Sequence, residues 1–189
     1  KETAKYLGTN HHEKIISPDD IRKSLDKIIS IHDEPFADNS NIPTYFLCEF
    51  AKKNVTVALS GDGGDELFGG YPRYFWASRI ESMQKTLGMP LCKILGSTLN
   101  SFKVFSKYSR LFERFSRLGR YLKTERESIY PETIACWNGK APVLNSYSNI
   151  LGNDNLNFPE YTWADEMMLI DQKHYLPDDI LTKVDRMSM

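Results

Sequence analysis

Residues 55–71 read VTVALSGDGGDELFGGY, and this stretch decides how the rest of the chain is interpreted. The run 55–59 is apolar, contains β-branched residues and is too short for a typical helix, which predicts a buried strand. Glycines that directly follow such a strand allow backbone N–H groups to surround an anion. In an open parallel sheet, ligands bind beyond the carboxyl ends of the strands. The stretch therefore predicts a ligand-binding turn at the edge of a sheet.

The first part of the chain, residues 1–72, predicts an incomplete α/β layer. Its predicted elements are, in order, a helix at 1–7 closed by Gly8, a strand at 12–17, a helix begun by Ser17 and Pro18, a helix at 44–53 and the strand at 55–59. This alternation is typical of a parallel sheet with right-handed crossovers. We therefore expect an α/β fold class for this part of the chain.

The second part, residues 73–189, predicts helices only. An Asn-rich segment at 145–158 predicts a linker within this helical half. Near the end of the chain, Pro177 is expected to stop one helix, and Asp178 or Asp179 to cap the next. The sequence thus predicts two parts that differ in secondary structure.

Composition excludes several classes of protein. The 189 residues carry a formal net charge of −1, so no global charge indicates nucleic acid or acidic lipid as a partner. The three cysteines are too far apart for a metal set and fit a reducing cytoplasm. No run approaches the roughly 18 apolar residues of a membrane span. The chain opens at Lys1 and stops inside an apparent motif, so we interpret it as a piece of a longer protein.

The acids within SGDGGDE need an explanation of their own. Asp62, Asp65 and Glu66 would repel a phosphate unless a Mg²⁺ ion lay between them. The segment is not a Walker loop, because no GK[ST] follows, and its acids interrupt the dinucleotide pattern GxGxxG. The spaced oxygen ligands of a calcium loop are also missing. A metal-bridged polyphosphate, the positioning of an ammonia-like group and a tight turn with solvated acids remain open.

A basic stripe covers part of the helical half. It consists of Lys103, Lys107, Arg110, Arg114 and Arg117, which lie three or four residues apart. Such a stripe is compatible with a phosphate or an acidic partner. We favour the alternative interpretation, a solvated helix face over an apolar core.

Four blocks of sequence together resemble one known family. They read YLGTNHHE (6–13), DEPFAD (33–38), VALSGDGGDELFGGYPRY (57–74) and YLPDDILTKVDRMSM (175–189). In this order they are similar to the synthetase domain of the asparagine synthetase (glutamine-hydrolysing) family. The resemblance implies a sheet like that of the ATP pyrophosphatases, or adenine-nucleotide α-hydrolases, followed by a helical half.

The resemblance also implies a reaction. Members of this family use ATP and Mg²⁺ to adenylate a carboxylate, aspartate in asparagine synthetase, and ammonia then displaces AMP to form the amide. A glutaminase domain of the same parent chain would supply the ammonia from glutamine. We expect a cytoplasmic ligase of asparagine biosynthesis that has no nucleic-acid or membrane partner. Whether this ligase forms a homodimer is left open.

Site residues follow from the matching motif positions. Implied cofactor-binding residues are Ser60, Gly61, Gly63, Gly64, Asp65, Lys183 and Arg186, with Asp65 as the Mg²⁺ ligand. Asp62 and Glu66 are the implied catalytic residues. Asp62 stands where many members carry Glu, close to the reacting centre, where it would orient ammonia or accept a proton. Glu66 would support the substrate side or cap the following helix.

Alternative interpretations exist for some of these residues and for the chain as a whole. Lys183 and Arg186 would contact an anion or belong to an ion-pair network with Asp185. The family's first phosphate loop, SGGxDS, is absent from these 189 residues, so we expect the piece alone to be inactive. A relative that amidates a sugar acid or a secondary metabolite, and a non-catalytic scaffold domain, are the competing hypotheses.

Overall fold

A computed structural model describes residues 1–105, 109–134 and 160–189, and these residues are helical wherever they are regular. The helices are α1 Glu2–Leu7, α2 Pro18–Ile31, α3 Asn41–Ala51, α4 Gly64–Phe68, α5 Pro72–Leu87, α6 Met89–Ser101, α7 Arg110–Tyr121, α8 Arg126–Ile134, α9 Trp163–Ile170 and α10 Thr182–Ser188. A 3₁₀ turn, Phe102–Phe105, follows α6, and a π-helical segment, Asp171–Leu181, joins α9 to α10.

The predicted α/β fold class is wrong. The described residues contain no strand and no sheet, so the predicted parallel sheet of the ATP-pyrophosphatase type is absent from them. Residues 12–17 and 55–59 are irregular, and Val57 and Leu59 are 79% and 99% exposed rather than buried. A strand exists only when its backbone N–H and C=O groups pair with a neighbour. Apolar, β-branched composition indicates affinity for a sheet but does not supply the neighbouring strand.

Local signals at the helix ends are confirmed. Gly8 closes α1 with φ of 65°, a left-handed conformation that suits glycine. Ser17 caps α2 in a reciprocal capping box, because its hydroxyl accepts from the Asp20 N–H while the Asp20 carboxylate accepts from the Ser17 N–H. Both motifs need contacts only within one turn, which is why the sequence predicts them well.

The predicted helix stop at Pro177 is also wrong. Pro177 lies inside the π-helical segment, which continues directly into α10. Proline normally breaks an α-helix because its ring clashes with the carbonyl four residues earlier. The wider i→i+5 turn displaces that carbonyl, so the helix passes through the proline. Asp178 and Asp179 consequently cap no new helix.

The chain divides into two compact units. The first comprises residues 1–63 together with 174–189. In its core, α10 packs on α3 and α2. The buried residues of this core are Ile28, Tyr45, Phe46 and Met187. Helix α2 therefore contributes Ile28 to this core.

The second unit comprises residues 64–173. Its core lies between α5, α8 and α9 and consists of Tyr74, Ala77, Ile80, Ile129, Tyr130, Trp163 and Met167. Elsewhere in this unit α6 and α7 cross closely, with Gly96 and Gly119 at the point of contact. The predicted division of the chain after residue 72 stays a prediction.

Several predictions fall on residues outside the described ranges. These are the Asn-rich linker at 145–158, Lys107 of the basic stripe and Cys136. Cys48 and Cys92, which are described, are free thiols. Among the described helices, none is both long and apolar enough to cross a membrane.

Candidate functional site

The first half of the SGDGGD segment belongs to the first unit. Ser60, Gly61 and Asp62 are exposed, and the Ser60 hydroxyl donates to a carboxylate oxygen of Asp62 at 2.6 Å. Gly63 is buried with φ of 85°, a left-handed conformation that only glycine adopts without strain. A Cβ at Gly61 would meet nothing within 4 Å, so space is open beside its backbone. These residues offer an exposed hydroxyl, an exposed carboxylate and accessible backbone.

The second half of the segment begins the second unit. Gly64 and Asp65 form the first turn of α4, and Asp65 is exposed. A Cβ at Gly64 would likewise meet nothing within 4 Å. The backbone carbonyl of Asp65 accepts from the Gly70 N–H at 3.0 Å. An exposed carboxylate therefore lies next to open backbone in this unit.

Glu66, unlike Asp65, is buried, with 1% of its surface exposed. Its carboxylate accepts from the Tyr71 hydroxyl at 2.7 Å, and its backbone carbonyl accepts from the Gln172 side chain at 3.0 Å. A buried carboxylate is tolerated when hydrogen bonds compensate for lost hydration. Both contacts tie Glu66 to protein groups.

A buried acid that the sequence interpretation missed lies at the end of α9. Asp171 is 0% exposed and is bonded to Arg73 through Nη2 at 2.7 Å and Nε at 3.1 Å. The hydroxyls of Tyr74 and Tyr130 also donate to its carboxylate, the latter at 2.6 Å. The available signal was an aspartate directly after the apolar run 167–170.

The environment of this acid changes the chemistry of its partners. Burial, and then the hydrogen bond to the negative Asp171, raises the pKa of both Tyr74 and Tyr130. The two hydroxyls therefore stay protonated and act as donors. The Arg73 guanidinium also stacks on the Tyr71 ring, 4.0 Å from its centroid. Arg73 thus joins the Asp171 cluster to the tyrosine that holds Glu66.

In the first unit, both basic residues of α10 have acidic partners in the segment 33–40. Lys183 is 7% exposed, and its Nζ lies 2.5 Å from an oxygen of Asp38 and 2.6 Å from the Ser40 hydroxyl. Arg186 pairs with Asp33 at 2.6 Å. The sequence interpretation proposed a network with Asp185, but the partners come from the DEPFAD segment and its continuation.

Two acids of the first unit, Asp38 and Asp179, form a cluster with Lys183 and differ in how readily they ionise. Burial raises the pKa of Asp38, but hydrogen bonds from Lys183 and Ser40 outweigh it and lower the value to about 2. Burial, together with the nearby negative charge of Asp38, raises the pKa of Asp179. One oxygen of Asp179 is buried and has no hydrogen-bond partner. Asp38 is therefore the permanent anion of the cluster, and Asp179 is the acid that resists ionisation.

The described part of the basic stripe lies on an exposed helix face. Arg110, Arg114 and Arg117 are exposed on α7, and Arg117 pairs with Glu113 one turn away at 2.6 Å. A pairing of this kind is typical of a solvated helix face. A role in binding a phosphate or an acidic partner stays a prediction.

Comparison with known proteins places the chain in a family. The model of the asparagine synthase family matches residues 1–189. The chain belongs to the asparagine synthase family. It is 34% identical over 194 residues to asparagine synthetase [glutamine-hydrolyzing] 1 of Bacillus subtilis, covering 100% of this chain and 30% of the relative. The family resemblance predicted from the four sequence blocks is confirmed.

Two further relatives extend this comparison. The putative asparagine synthetase [glutamine-hydrolyzing] 2 of Methanocaldococcus jannaschii is 32% identical over 186 residues, which cover 97% of this chain and 35% of that protein. A putative asparagine synthetase [glutamine-hydrolyzing] of Mycobacterium tuberculosis is 43% identical over 72 residues, 38% of this chain and 11% of the relative. No solved structure matches. This asparagine synthase family chain therefore spans about a third of the first two relatives.

The donor groups of the segment are compatible with the Mg²⁺ ion that the family resemblance implies. Within the described ranges no group of three or more His, Cys, Asp or Glu side chains could hold a metal. Mg²⁺ does not need such a cage, because it is commonly bound by one or two carboxylates together with substrate phosphates. Asp65 supplies an exposed oxygen ligand, and the open space at Gly64 leaves room for a second group. The residues present therefore fit a metal that arrives with a polyphosphate.

Proposed function

We propose that the parent protein is an ATP-dependent amidotransferase that adenylates a carboxylate and transfers ammonia to it. Aspartate is the proposed acid, asparagine the product, and AMP and pyrophosphate are released. One observation carries this proposal: in a chain matched by the asparagine synthase family over residues 1–189, the SGDGGDE segment presents Asp65 as an exposed carboxylate beside open backbone. A segment that only closed a turn would not require this arrangement.

Each part of the segment has a proposed role. Ser60 and Gly61 would line the AMP part of the nucleotide, and Gly63 and Gly64 would allow the backbone to approach the phosphates. Asp65 would hold Mg²⁺, whose charge offsets the negative charge that develops on the departing pyrophosphate. The exposed positions of Ser60, Gly61 and Asp65 support these assignments.

The two remaining acids differ in accessibility. Asp62 is exposed and held by the Ser60 hydroxyl, which supports a role near the substrate, where it would orient ammonia or accept its proton. Glu66 is buried and bonded to Tyr71, which supports an indirect role for it. We propose Asp62 as the catalytic residue of the pair and propose a structural role for Glu66 in the motif.

Lys183 and Arg186 have a proposed role in holding the segment 33–40. Both cations have protein anions as partners, and Lys183 is almost completely buried. These ion pairs support a structural role more strongly than direct contact with a nucleotide. A contact between either side chain and ATP stays a prediction.

Asp62 also supports a second candidate acceptor. Many members of the family carry glutamate at this position, and aspartate is one methylene shorter, so the geometry near the reacting carboxylate differs. A sugar acid or a secondary metabolite in place of aspartate is the second candidate. The exposed acids of the segment argue against a scaffold without catalysis.

The experiment measures pyrophosphate release by the full-length parent protein with ATP and Mg²⁺. Glutamine or ammonium serves as the nitrogen donor, and aspartate is added or withheld. We expect release that requires aspartate and is lost in Asp65→Ala but kept in Asp19→Ala, an exposed acid on α2. Release with another acid alone would establish the second candidate. A folded parent that releases no pyrophosphate with any acid would contradict the proposal.

A further inference from the structure

The carboxylate of Asp65 lies directly against the backbone of Gly70. A Cβ built at Gly70 would overlap the Asp65 carboxylate and lie 3.3 Å from its Cα. Gly70 is not among the glycines with positive φ, so its backbone conformation does not itself require glycine. What requires glycine at this position is the space that the Asp65 carboxylate occupies.

A second contact holds the short helix that carries Asp65. The Gln172 side-chain amide donates to the Glu66 carbonyl at 3.0 Å. Gln172 directly follows Asp171, whose carboxylate is held by Arg73 and two tyrosines, so its backbone starts from a firmly held residue. The contact therefore connects α4 to a well-anchored part of the second unit.

Helix α4 depends on such contacts because it is short. It contains five residues, Gly64–Phe68, and a helix of this length has little stability of its own in water. Its position, and with it the direction of the Asp65 carboxylate, is consequently set by tertiary contacts. Gln172 supplies one such contact, and Gly70, two residues after the helix, adds a local contact through its N–H to the Asp65 carbonyl.

We infer that Gly70 and Gln172 are positioning residues that hold the Asp65 carboxylate in the orientation in which it accepts Mg²⁺ bound to ATP. This inference rests on the proposed role of Asp65. Neither residue touches the ligand: Gly70 leaves room for the carboxylate, and Gln172 fixes the helix that bears it. Filling the space at Gly70 or removing the Gln172 hydrogen bond should raise the Mg²⁺ concentration that ATP binding requires. The ATP site itself should remain intact.

The test uses the full-length parent protein and measures binding rather than turnover. Isothermal titration calorimetry gives the Mg²⁺ concentration that half-saturates ATP binding at a fixed ATP concentration. We expect it to rise about tenfold in Gly70→Ala, where the charged carboxylate is displaced, and about fivefold in Gln172→Met, where one neutral hydrogen bond is lost. Saturating Mg²⁺ should restore full binding in both variants. Lys173→Met, an exposed neighbour of Gln172, should match the wild type.

A double substitution separates positioning from general damage. In an Asp65→Ala background there is no carboxylate for a new methyl group at position 70 to displace, so adding Gly70→Ala should not raise the Mg²⁺ requirement further. The inference is overturned if both single variants match the wild type. It is also overturned if the single variants lose ATP binding that saturating Mg²⁺ does not restore. Additive effects of Gly70→Ala and Asp65→Ala on the Mg²⁺ requirement would overturn it too, as would a wild type that binds no Mg²⁺ with ATP.

These outcomes are distinct from failure of the proposed function. A parent that releases pyrophosphate with an acid but shows unchanged Mg²⁺ requirements in both variants keeps the proposed function and loses this inference. A parent whose Mg²⁺ requirement shifts as expected, but which releases no pyrophosphate with any acid, keeps this inference and loses the proposed reaction.

Discussion

Lys183 and Asp38 are 145 residues apart in the sequence, yet their side chains form an ion pair of 2.5 Å in the first unit. Lys183 is almost completely buried, and Ser40 accepts a second hydrogen bond from the same ammonium group. The pair fastens the segment after α2 to the last helix. A buried pair of this kind is costly to break, because the remaining charge is left without compensation.

Lys183→Met should lower the free energy of unfolding of the full chain by about 2–3 kcal/mol, since Asp38 would lose its counter-charge. Urea denaturation at neutral pH measures the change. Lys53→Met, an exposed lysine after α3, is the control and should change stability by less than about 0.5 kcal/mol. Equal stability of the two variants would show that the ion pair does not hold the unit together.

Acid should weaken the same cluster in a defined pH window. The pKa of Asp38 is lowered to about 2 in the folded state, so its contribution is complete above its ordinary value of about 3.9 and is lost as the pH falls from there toward 2. Asp38→Asn should therefore remove much of the loss of stability between pH 4 and pH 2. Denaturation curves across this range, compared with those of Asp19→Asn as an exposed control, measure the effect. An unchanged acid dependence in Asp38→Asn would contradict the assignment.

Asp179 should behave in the opposite way. Its pKa is raised, so the folded state favours its protonated form and loses stability as the pH rises through the ordinary aspartate range toward that raised pKa. Asp179→Asn should increase stability at neutral pH by about 1 kcal/mol, because an uncharged side chain replaces a carboxylate beside Asp38. The gain should shrink at acidic pH, where Asp179 is already neutral. A gain independent of pH would point to a cause other than charge.

The Asp171 cluster should be a major source of stability in the second unit. Asp171→Asn would leave the Arg73 charge partly buried and unmatched at this contact, and should cost about 3 kcal/mol. Tyr130→Phe removes one hydrogen bond to the same carboxylate and should cost about 1 kcal/mol. Chemical denaturation of the full chain measures both, with Tyr6→Phe, 89% exposed, as the matched control. Losses no larger than that of the control would refute the role of the cluster.

Gly96→Ala tests packing against helix propensity. Alanine is favoured over glycine in a helix by about 1 kcal/mol, which predicts stabilisation. A Cβ at Gly96 would, however, lie 2.6 Å from the carbonyl oxygen of Gly119, so α6 and α7 would have to move apart. We expect a net loss of about 2 kcal/mol by thermal denaturation. Ser97→Ala, one residue on and exposed, should be neutral or stabilising, and stabilisation by Gly96→Ala would mean that the crossing is not tight.

Local features of this chain could be predicted because their causes lie within a few residues. The left-handed Gly8 and the capping box of Ser17 and Asp20 require only contacts within one helical turn. The family of the chain also follows from short motifs such as the SGDGGDE segment. The family match over residues 1–189 confirms it. The helix at Asn41–Ala51 was predicted to start at residue 44, and Ser40 at its N-cap makes no side-chain hydrogen bond that would mark the start.

Short stretches of sequence are therefore enough to specify the helix ends, the glycine-dependent turns and the family. Three features emerge only from long-range packing. Residues 55–59 pair with no strand among the described residues, Pro177 lies inside a helix, and Lys183 pairs with Asp38 rather than Asp185. The reason is physical. A cap or a turn is satisfied by atoms its own neighbours supply, whereas a strand, a buried charge or a close helix crossing exists only when the fold brings a partner from a distant part of the chain.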